Sequence, residues 1–433
     1  MTVSEFFGQD FVKVFREAGP YINNLKGKTV VIGINSYVVE EYYLISLLQD
    51  INLLNSLGMR LVIVFGVYKQ IEEEYQPDIG SSINKEQMQT IKELVGRVRI
   101  DIESYLSIGY GNLSVSRSEV NVLGANYISA KSKGVIGGQD SEHLGEVRKI
   151  NLGLMKDHLE QRNIILVNPL GYSVSGMSYY IPMSEMATEI AISLQAEKLV
   201  FITRANGIVN VQGEILNNLT LNEAQRVMQE TKQHTDIIKI SHSINRALSS
   251  NQVKRVQLIS GLEQGSLLSE LFTRDGVGTS MSYSSFTNIR SANSTDIPTL
   301  LQIINPLVKR GYLLPRSRSY FEAHINEFFV IEYDEVIYGC VQFRSYEGHS
   351  AELACLSVLE SARDQGYGEK LLARVQEEAK IKYKTKLFAL TTQAGDWFKE
   401  RGFVEVSSKE LPEVRWLEYH SSKRQSKIFL KTL

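Results

Sequence analysis

Short runs such as Thr29–Ile34 (TVVIGI) and Arg60–Phe65 (RLVIVF) are apolar without alternation, so they can be strands only where both faces are covered. Helical patterns separate them. One runs over 41–57 and stops at Gly58, and another over 85–106; 184–196 and 237–249 follow. Further buried strands read at 163–167, 199–203 and 253–259. Strands alternating with helices in this way predict a mostly parallel, doubly wound α/β sheet with helices on both faces.

The rhythm changes near Ser282, where SYSSFTNIRSANSTD is polar and unperiodic and reads as a linker. Beyond it a helix capped by Ser294 or Thr295, with Pro298 in its first turn, closes near Gly311. A hairpin across Asp334-Glu335, a strand at 350–359, a helix at 366–383, a strand at 386–392 and a short helix at 396–401 follow. This order of elements marks a second domain. The division expected is 1–282 and 283–433, consistent with a 433-residue chain too long for one ordinary domain.

The net charge of -2, with no block of like charges, gives no basic surface for nucleic acid. Two cysteines, Cys340 and Cys355, cannot make a disulfide framework, and the histidines lack metal-site spacing, so no metal is expected. The N-terminus is acidic and lacks the apolar core of a signal peptide. No apolar run reaches the roughly 18 residues of a membrane span, and a cytoplasmic protein is the reading. At the N-terminus Phe7, Phe11, Val12 and Phe15 recur at helical spacing, and Gly19-Pro20 is expected to stop that helix.

The sharpest local signal is Arg363-Asp364-Gln365-Gly366-Tyr367-Gly368, between a strand and a helix. It is either a plain glycine-rich turn or a diphosphate site. In the second case two glycines leave the N–H groups at the positive end of the helix unobstructed. With the hairpin, strand, helix and strand around it, this string resembles the GNAT acetyltransferase superfamily and its [RQ]-x-x-G-x-[GA] signature. The resemblance implies acetyl-CoA as co-substrate. Its diphosphate would lie on Arg363, Gln365, Gly366 and Gly368, and its pantetheine arm beside Leu356 and Val358. Glu352, on the same strand, is then either the base that deprotonates an acceptor amine or a strand glutamate held in a salt bridge. Thr391 or Thr392 would hold a water, and Asp396 and Tyr367 are candidates for the proton donor. Cys355 lies beside the acceptor site, and strand alternation puts its side chain on the face opposite Ala354 and Leu356, as packing rather than as a nucleophile.

The N-terminal segments PYINNLKGKTVVI, LLNSLGMRLVIVFG, SEMATEIAISLQAEKLVF and LFTRDGVGT resemble the amino-acid kinase family. Its fusion to a GNAT domain resembles the bacterial N-acetylglutamate synthase family. That resemblance implies acetylation of L-glutamate at the first step of arginine biosynthesis. Arg316 and Arg424 would grip the acceptor carboxylate as guanidinium forks, with Ser426 adding a hydrogen bond. It also implies L-arginine as an effector near Leu271, Asp275 and Gly278, and a ring-like homo-oligomer assembled through the N-terminal helix. Kinases of the first family carry a lysine and a glycine pair at the end of the first strand. Here that place reads Ile32-Gly33-Ile34-Asn35-Ser36, and Lys28 is ~20 Å away at about 3.3 Å per residue, so no phosphoryl transfer is expected. Two other readings stay open: an acetyltransferase for a different amine, and an arginine-binding regulator without turnover.

Overall fold

The computed structural model describes residues 3–39, 42–75, 82–108, 120–273, 276–283, 287–333, 336–363, 365–422 and 426–433. The chain divides into two compact units, Met1–Ser285 and Phe286–Leu433. Among the described residues no helix is long and apolar enough to cross a membrane.

The first unit is built on eight strands: β1 (Thr29–Ile34), β2 (Arg60–Phe65), β3 (Val122–Leu123), β4 (Ile164–Val167), β5 (Lys198–Thr203), β6 (Asn218–Thr220), β7 (Arg255–Ser260) and β8 (Thr279–Ser282). Their spatial order is β6-β8-β7-β5-β1-β2-β4-β3. All neighbours run parallel except β7 and β8. The unbroken apolar runs have the expected cause. Val30, Ile32, Ile34, Leu61, Ile63 and Phe65 enter one core, while Val31, Val62 and Val64 enter the core on the other face. Each is fully buried, worth about 1.5–3 kcal/mol apiece relative to exposure. On the first face lie α1 (Val3–Leu25), α2 (Leu44–Ser56) and α3 (Lys85–Leu106), the last closed at its start by an Asn84–Gln87 capping box. On the second lie α4 (Met183–Leu194) and α5 (Thr235–Ser249). A fourth helix on the first face, α6 (Ser266–Phe272), buries Leu267 and Leu271 with the first group.

Helix α1 corrects one expectation. It runs through Gly19-Pro20 to Leu25. Proline removes one hydrogen bond, but Tyr21 and Leu25, one turn apart beyond it, are buried and hold the last turn in register. Val12, Val14 and Phe15 stay exposed on this chain, and the side chains of Phe7 and Phe11 lie outside the described set.

The second unit is a seven-stranded sheet of β9 (Thr287–Ser291), β10 (Phe328–Tyr333), β11 (Val336–Ser345), β12 (Ser350–Val358), β13 (Lys386–Thr391), β14 (Val404–Val406) and β15 (Lys427–Thr432). The order is β9-β10-β11-β12-β13-β15-β14. Helices α7 (Ile297–Lys309) and α8 (Arg318–His324) cover one face, and α9 (Tyr367–Ile381) the other. Short α10 (Gly395–Glu400) and α11 (Glu413–Ser421) precede the last two strands.

Within the stretch read as a linker, residues 287–291 form an edge strand. Thr287–Ser291 pairs antiparallel with β10, and Arg290 bonds Asp296 at 2.7 Å and Glu332 at 2.6 Å. An edge strand with one wet face needs no apolar alternation, which hid it. The helix cap also differs. Asn293, not Ser294 or Thr295, accepts the first N–H, in a capping box with Asp296 that opens a 3-10 turn before α7.

Burial pushes the pKa of Asp50, on α2, up to about 6. A raised folded-state value means stability that is full below the unfolded pKa and is lost as pH rises through 6. Asp50→Asn is therefore expected to raise the melting temperature at about pH 7.5, the gain fading below about pH 4. Thermal melts of both proteins across pH check this.

Candidate acetyl-transfer site

Strand β12 is paired with both neighbours only at its start. Its register with β13 joins Ser350, Ala351 and Glu352 to Lys386, Leu387 and Phe388, and goes no further among the described residues. On the other side, Gln342 of β11 faces Ala354 but Cys340 faces Ser357, so β12 carries one extra residue there. Cys355 takes up the bulge with φ +53, an uncommon conformation for a residue with a side chain. The bulge breaks the alternation assumed above. Ala351 and Leu353 pack toward α9, yet so do Leu356 and Val358, while Cys355 turns to the α7 face beside Cys340. The inserted residue bends β12 away from β13, and a cleft of about 920 Å³ opens between them.

Leu356, Val358, Cys355 and Thr391 line this cleft, as do Arg363, Gly366 and Gly368 at its far end. Gly366 has φ +71, and no side chain caps α9, so the first-turn N–H groups face the cleft unobstructed. A Cβ at Gly368 would stand 3.3 Å from the Trp397 ring, so glycine lets this wall close. Arg363 is half exposed and pairs with Glu360 at 3.5 Å. Gln365 is exposed beside it, and Asp364 lies outside the described residues. A concave groove ending on helix N–H groups and a guanidinium fits a diphosphate.

Glu352 stands at the point where the cleft begins, 2% exposed, and belongs to no lining wall. Its carboxylate is held in an ion cluster. Arg415 of α11 donates through Nε at 3.1 and 3.0 Å to its two oxygens and through Nη2 at 3.0 Å. Arg344, its partner across β11, adds a bond of 3.3 Å, and the Tyr346 hydroxyl one of 2.8 Å. Burial and the Glu352 charge push the Tyr346 phenol up, so it remains a donor. The salt-bridge reading of Glu352 is thus what this state contains. Sequence reasoning found neither Arg344 nor Arg415. Arg344 had a signal in the hairpin pairing, since opposite charges face each other at 344 and 352; Arg415 lies 63 residues away and had none.

Arg316 is bonded to Gln342 and, at 3.0 Å, to the Tyr320 hydroxyl; no carboxylate pairs with it among the described residues. Gln342 and Arg344, two apart on β11, share a face, so Arg316 and Glu352 lie over the same side of the sheet. Ser426 is buried next to Tyr419, whose hydroxyl bonds its carbonyl at 2.9 Å. Arg424 lies outside the described residues. Thr391 accepts N–H bonds from Gln393 and Ala394 at 3.2 and 2.9 Å and keeps its own hydrogen to donate. Thr392 and Tyr367 also line the cleft, but Asp396 is 95% exposed on a surface pair with Lys399 and is no part of it.

The first unit matches the amino acid kinase family over residues 28–256, and the second matches the acetyltransferase (GNAT) domain over residues 324–405. The chain is 39% identical, over 98% of both lengths, to an amino-acid acetyltransferase of Neisseria meningitidis serogroup B. It is 34% identical to one from Ralstonia nicotianae, over 98% of this chain and 96% of that protein. The chain belongs to the amino-acid acetyltransferase family. A crystal structure of N-acetylglutamate synthase from Neisseria gonorrhoeae complexed with coenzyme A and L-arginine is similar, with TM-score 0.89 at 37% identity, covering 98% of this chain and 99% of that one. The synthase of that organism complexed with coenzyme A and N-acetyl-glutamate gives 0.62 at 38% identity and the same coverage.

In this N-acetyltransferase the kinase-like unit carries the segment read as an effector site. Leu271 is core, 1% exposed, and Asp275 lies outside the described residues. The Gly278 N–H bonds Glu270 at 3.0 Å and its carbonyl accepts from Asn217 at 3.2 Å. Glu270, buried, also accepts from Val277 at 2.9 Å and Gln257 at 2.8 Å; burial holds its carboxyl above the usual range. Among the described residues no group of His, Cys, Asp or Glu is placed to hold a metal ion.

Gly366→Ala puts a side chain into a left-handed conformation, a cost of roughly 1–2 kcal/mol where the diphosphate loop turns. It should raise KM for acetyl-CoA by about tenfold with little change in kcat, read by thiol release at varied acetyl-CoA.

Proposed function

We propose that this chain transfers the acetyl group of acetyl-CoA to the α-amino group of L-glutamate, giving N-acetyl-L-glutamate and CoA, at the first step of arginine biosynthesis. The observation that carries the reading is the cleft itself, whose wall on β12 begins at Leu353, next to Glu352 in sequence, and which ends on the Arg363–Gly368 loop in a chain of this family. The synthase of Neisseria gonorrhoeae, 37% identical, is known complexed with coenzyme A and L-arginine and also with N-acetyl-glutamate. On this reading Arg363, Gln365, Gly366 and Gly368 hold the diphosphate, and the unpaired edge of β12 at Leu356 and Val358 receives the pantetheine arm. Arg316, Arg424 and Ser426 take the acceptor's carboxylate. Arg316 suits that role because among the described residues its charge meets the neutral groups of Tyr320 and Gln342. Cys355 shapes the cleft wall between donor and acceptor.

The acceptor's ammonium loses a proton toward Glu352, directly or through a water. The freed amine attacks the thioester carbonyl, the carbon–sulfur bond breaks, and the thiolate is protonated as CoA leaves. Thr391 retains a hydroxyl hydrogen directed at this process or at the water. Neither cysteine is needed as a nucleophile, and burial pushes the Cys340 thiol up, away from reactivity. L-arginine would act on the kinase-like unit around Leu271, Asp275 and Gly278, and a cytoplasmic homo-oligomer is the working form.

Thiol release from acetyl-CoA with L-glutamate against a panel of amines, with and without L-arginine, tests the assignment. Turnover restricted to other amines would overturn it. Glu352→Gln should lower kcat by ~10²-fold or more at neutral pH, and a folded variant with unchanged turnover would remove Glu352 from the chemistry. Arg316→Met should raise the glutamate KM at least about tenfold and leave the acetyl-CoA KM unaltered, as expected for a lost charge-assisted fork.

A further inference from the structure

A carboxylate offers about four lone-pair positions, and five donor contacts already crowd those of Glu352. Neither an ammonium nor a water can reach it until a donor departs. The three donor residues are not equally fixed. Arg344 is fixed by the pairing of β11 with β12 at Glu352, and its guanidinium also meets Glu418 of α11 at 3.4 and 3.5 Å. Tyr346 packs on Phe388, ring centroids 5.7 Å apart, and Lys384 bonds its carbonyl. Arg415 comes from α11, a nine-residue helix with no buried residue. Val414, Trp416 and Leu417 of that helix are exposed, and Tyr419 alone reaches the small core around Phe388, Leu411 and Ile428. The ion cluster is therefore a main attachment of α11, and Arg415 is the donor best able to leave.

Its departure has a condition. Arg415 is only 12% exposed, and away from Glu352 it would keep a single anionic partner, Glu418, at 3.2 Å. Withdrawing a mostly buried guanidinium from its carboxylate is unfavourable unless another anion replaces it. We propose that Arg415 is a specificity-determining latch, released from Glu352 when a carboxylate of the acceptor takes its place as partner. An amine that brings only one carboxylate, committed to Arg316, supplies no replacement, and Glu352 stays covered. Selection of a dicarboxylic amino acid is then coupled to exposure of the base rather than to binding strength alone. The charged groups around Glu352 are Arg344 and Tyr346 from the β11 side and Arg415 and Glu418 from α11; β13 faces it with apolar Phe388.

The latch rests on the reading of Glu352 as the base, and the two can fail separately. The measurement is kcat/KM for L-glutamate and for L-glutamine, which lacks the side-chain carboxylate, in wild type, Arg415→Met and Arg415→Lys. Loss of the latch in Arg415→Met should reduce the glutamate-to-glutamine preference at least about tenfold. The acetyl-CoA KM should stay unchanged, and Arg415→Lys, which keeps the charge without the fork, should fall between. A preference within about twofold of wild type in folded Arg415→Met overturns the latch. Should Arg415→Met not fold, Arg415→Lys alone decides by the same ratio. Wild-type turnover by Glu352→Gln would instead overturn the base, whatever the Arg415 variants do.

Discussion

The parting of β12 from β13 just past Glu352 is the constraint on which the second unit depends. Two adjacent strands would ordinarily satisfy each other's N–H and C=O groups along their full length. Here one extra residue, Cys355 at φ +53, bends β12 after three paired positions and leaves its edge facing a cleft rather than a neighbour. The conformation costs about 1–3 kcal/mol, and it is held because Leu353 and Leu356 on either side are anchored in the α9 core while Cys355 itself packs in the α7 core. An edge so exposed can bond a ligand's amides, and the walls it creates run to the unobstructed N–H groups of α9. The same bend explains why one strand can serve both substrates: the paired part presents Glu352 on one face, the unpaired part presents backbone to the cleft.

Charge is distributed over the sheet with similar economy. Arg344, Arg415, Glu352 and Glu418 neutralise one another, whereas Arg316, on the same face, is bonded by the neutral groups of Gln342 and Tyr320. A cationic fork without an anion next to a closed ionic quartet is an arrangement that a carboxylate-bearing molecule would complete. Breaking the quartet without compensation is costly, since partners left behind are buried charges.

Much of this was legible in the sequence. Strands buried on both faces announce themselves as unbroken apolar runs, because no position can be polar without facing a core, and β1, β2, β4 and β5 were read on that basis. The Arg363–Gly368 string was legible as a strand-to-helix turn because two glycines open the helix there, and only the order of elements around it set it apart from a plain glycine-rich turn. What escaped was set by tertiary pairing. Thr287–Ser291 looked like a linker since an edge strand tolerates polar residues on its wet side. Gly19-Pro20 looked like a stop since the burial of Tyr21 and Leu25 beyond it is not a local property. The bulge at Cys355 carries no glycine to betray it, and Arg415 reaches Glu352 from a polar nine-residue helix that periodicity does not mark.

The kinase-like unit keeps a cavity of about 360 Å³ at the ends of its first two strands, lined by Asn35, Ser36, Tyr37 and Gly66 among others, with the charges around it paired by its own side chains. At the C-terminal ends of β1 and β2, where a parallel sheet usually takes its ligand, a Cβ on Gly33 would come within 2.6 Å of Met183 Sδ, leaving no slack beneath the turn. Above it the Tyr37 hydroxyl bonds Glu72, and its pKa is pushed up to about 12 by burial and by that carboxylate. Arg204 lies 3.7 Å over the Tyr37 ring and forks onto Asp236 at 2.8 and 3.1 Å. A guanidinium already shared between an aromatic face and a buried carboxylate is poorly placed to follow a phosphoryl group, and no lysine ends β1 to replace it. At the opposite side of the sheet Glu270 gathers two backbone N–H groups and Gln257 into a buried polar knot at β7 and β8, ordered independently of any phosphate chemistry. Among the described residues, the cations at this end of the sheet are engaged by the unit's own carboxylates, Arg204 by Asp236 and Lys239 by Glu72, an arrangement unlike one that holds a transferring phosphate.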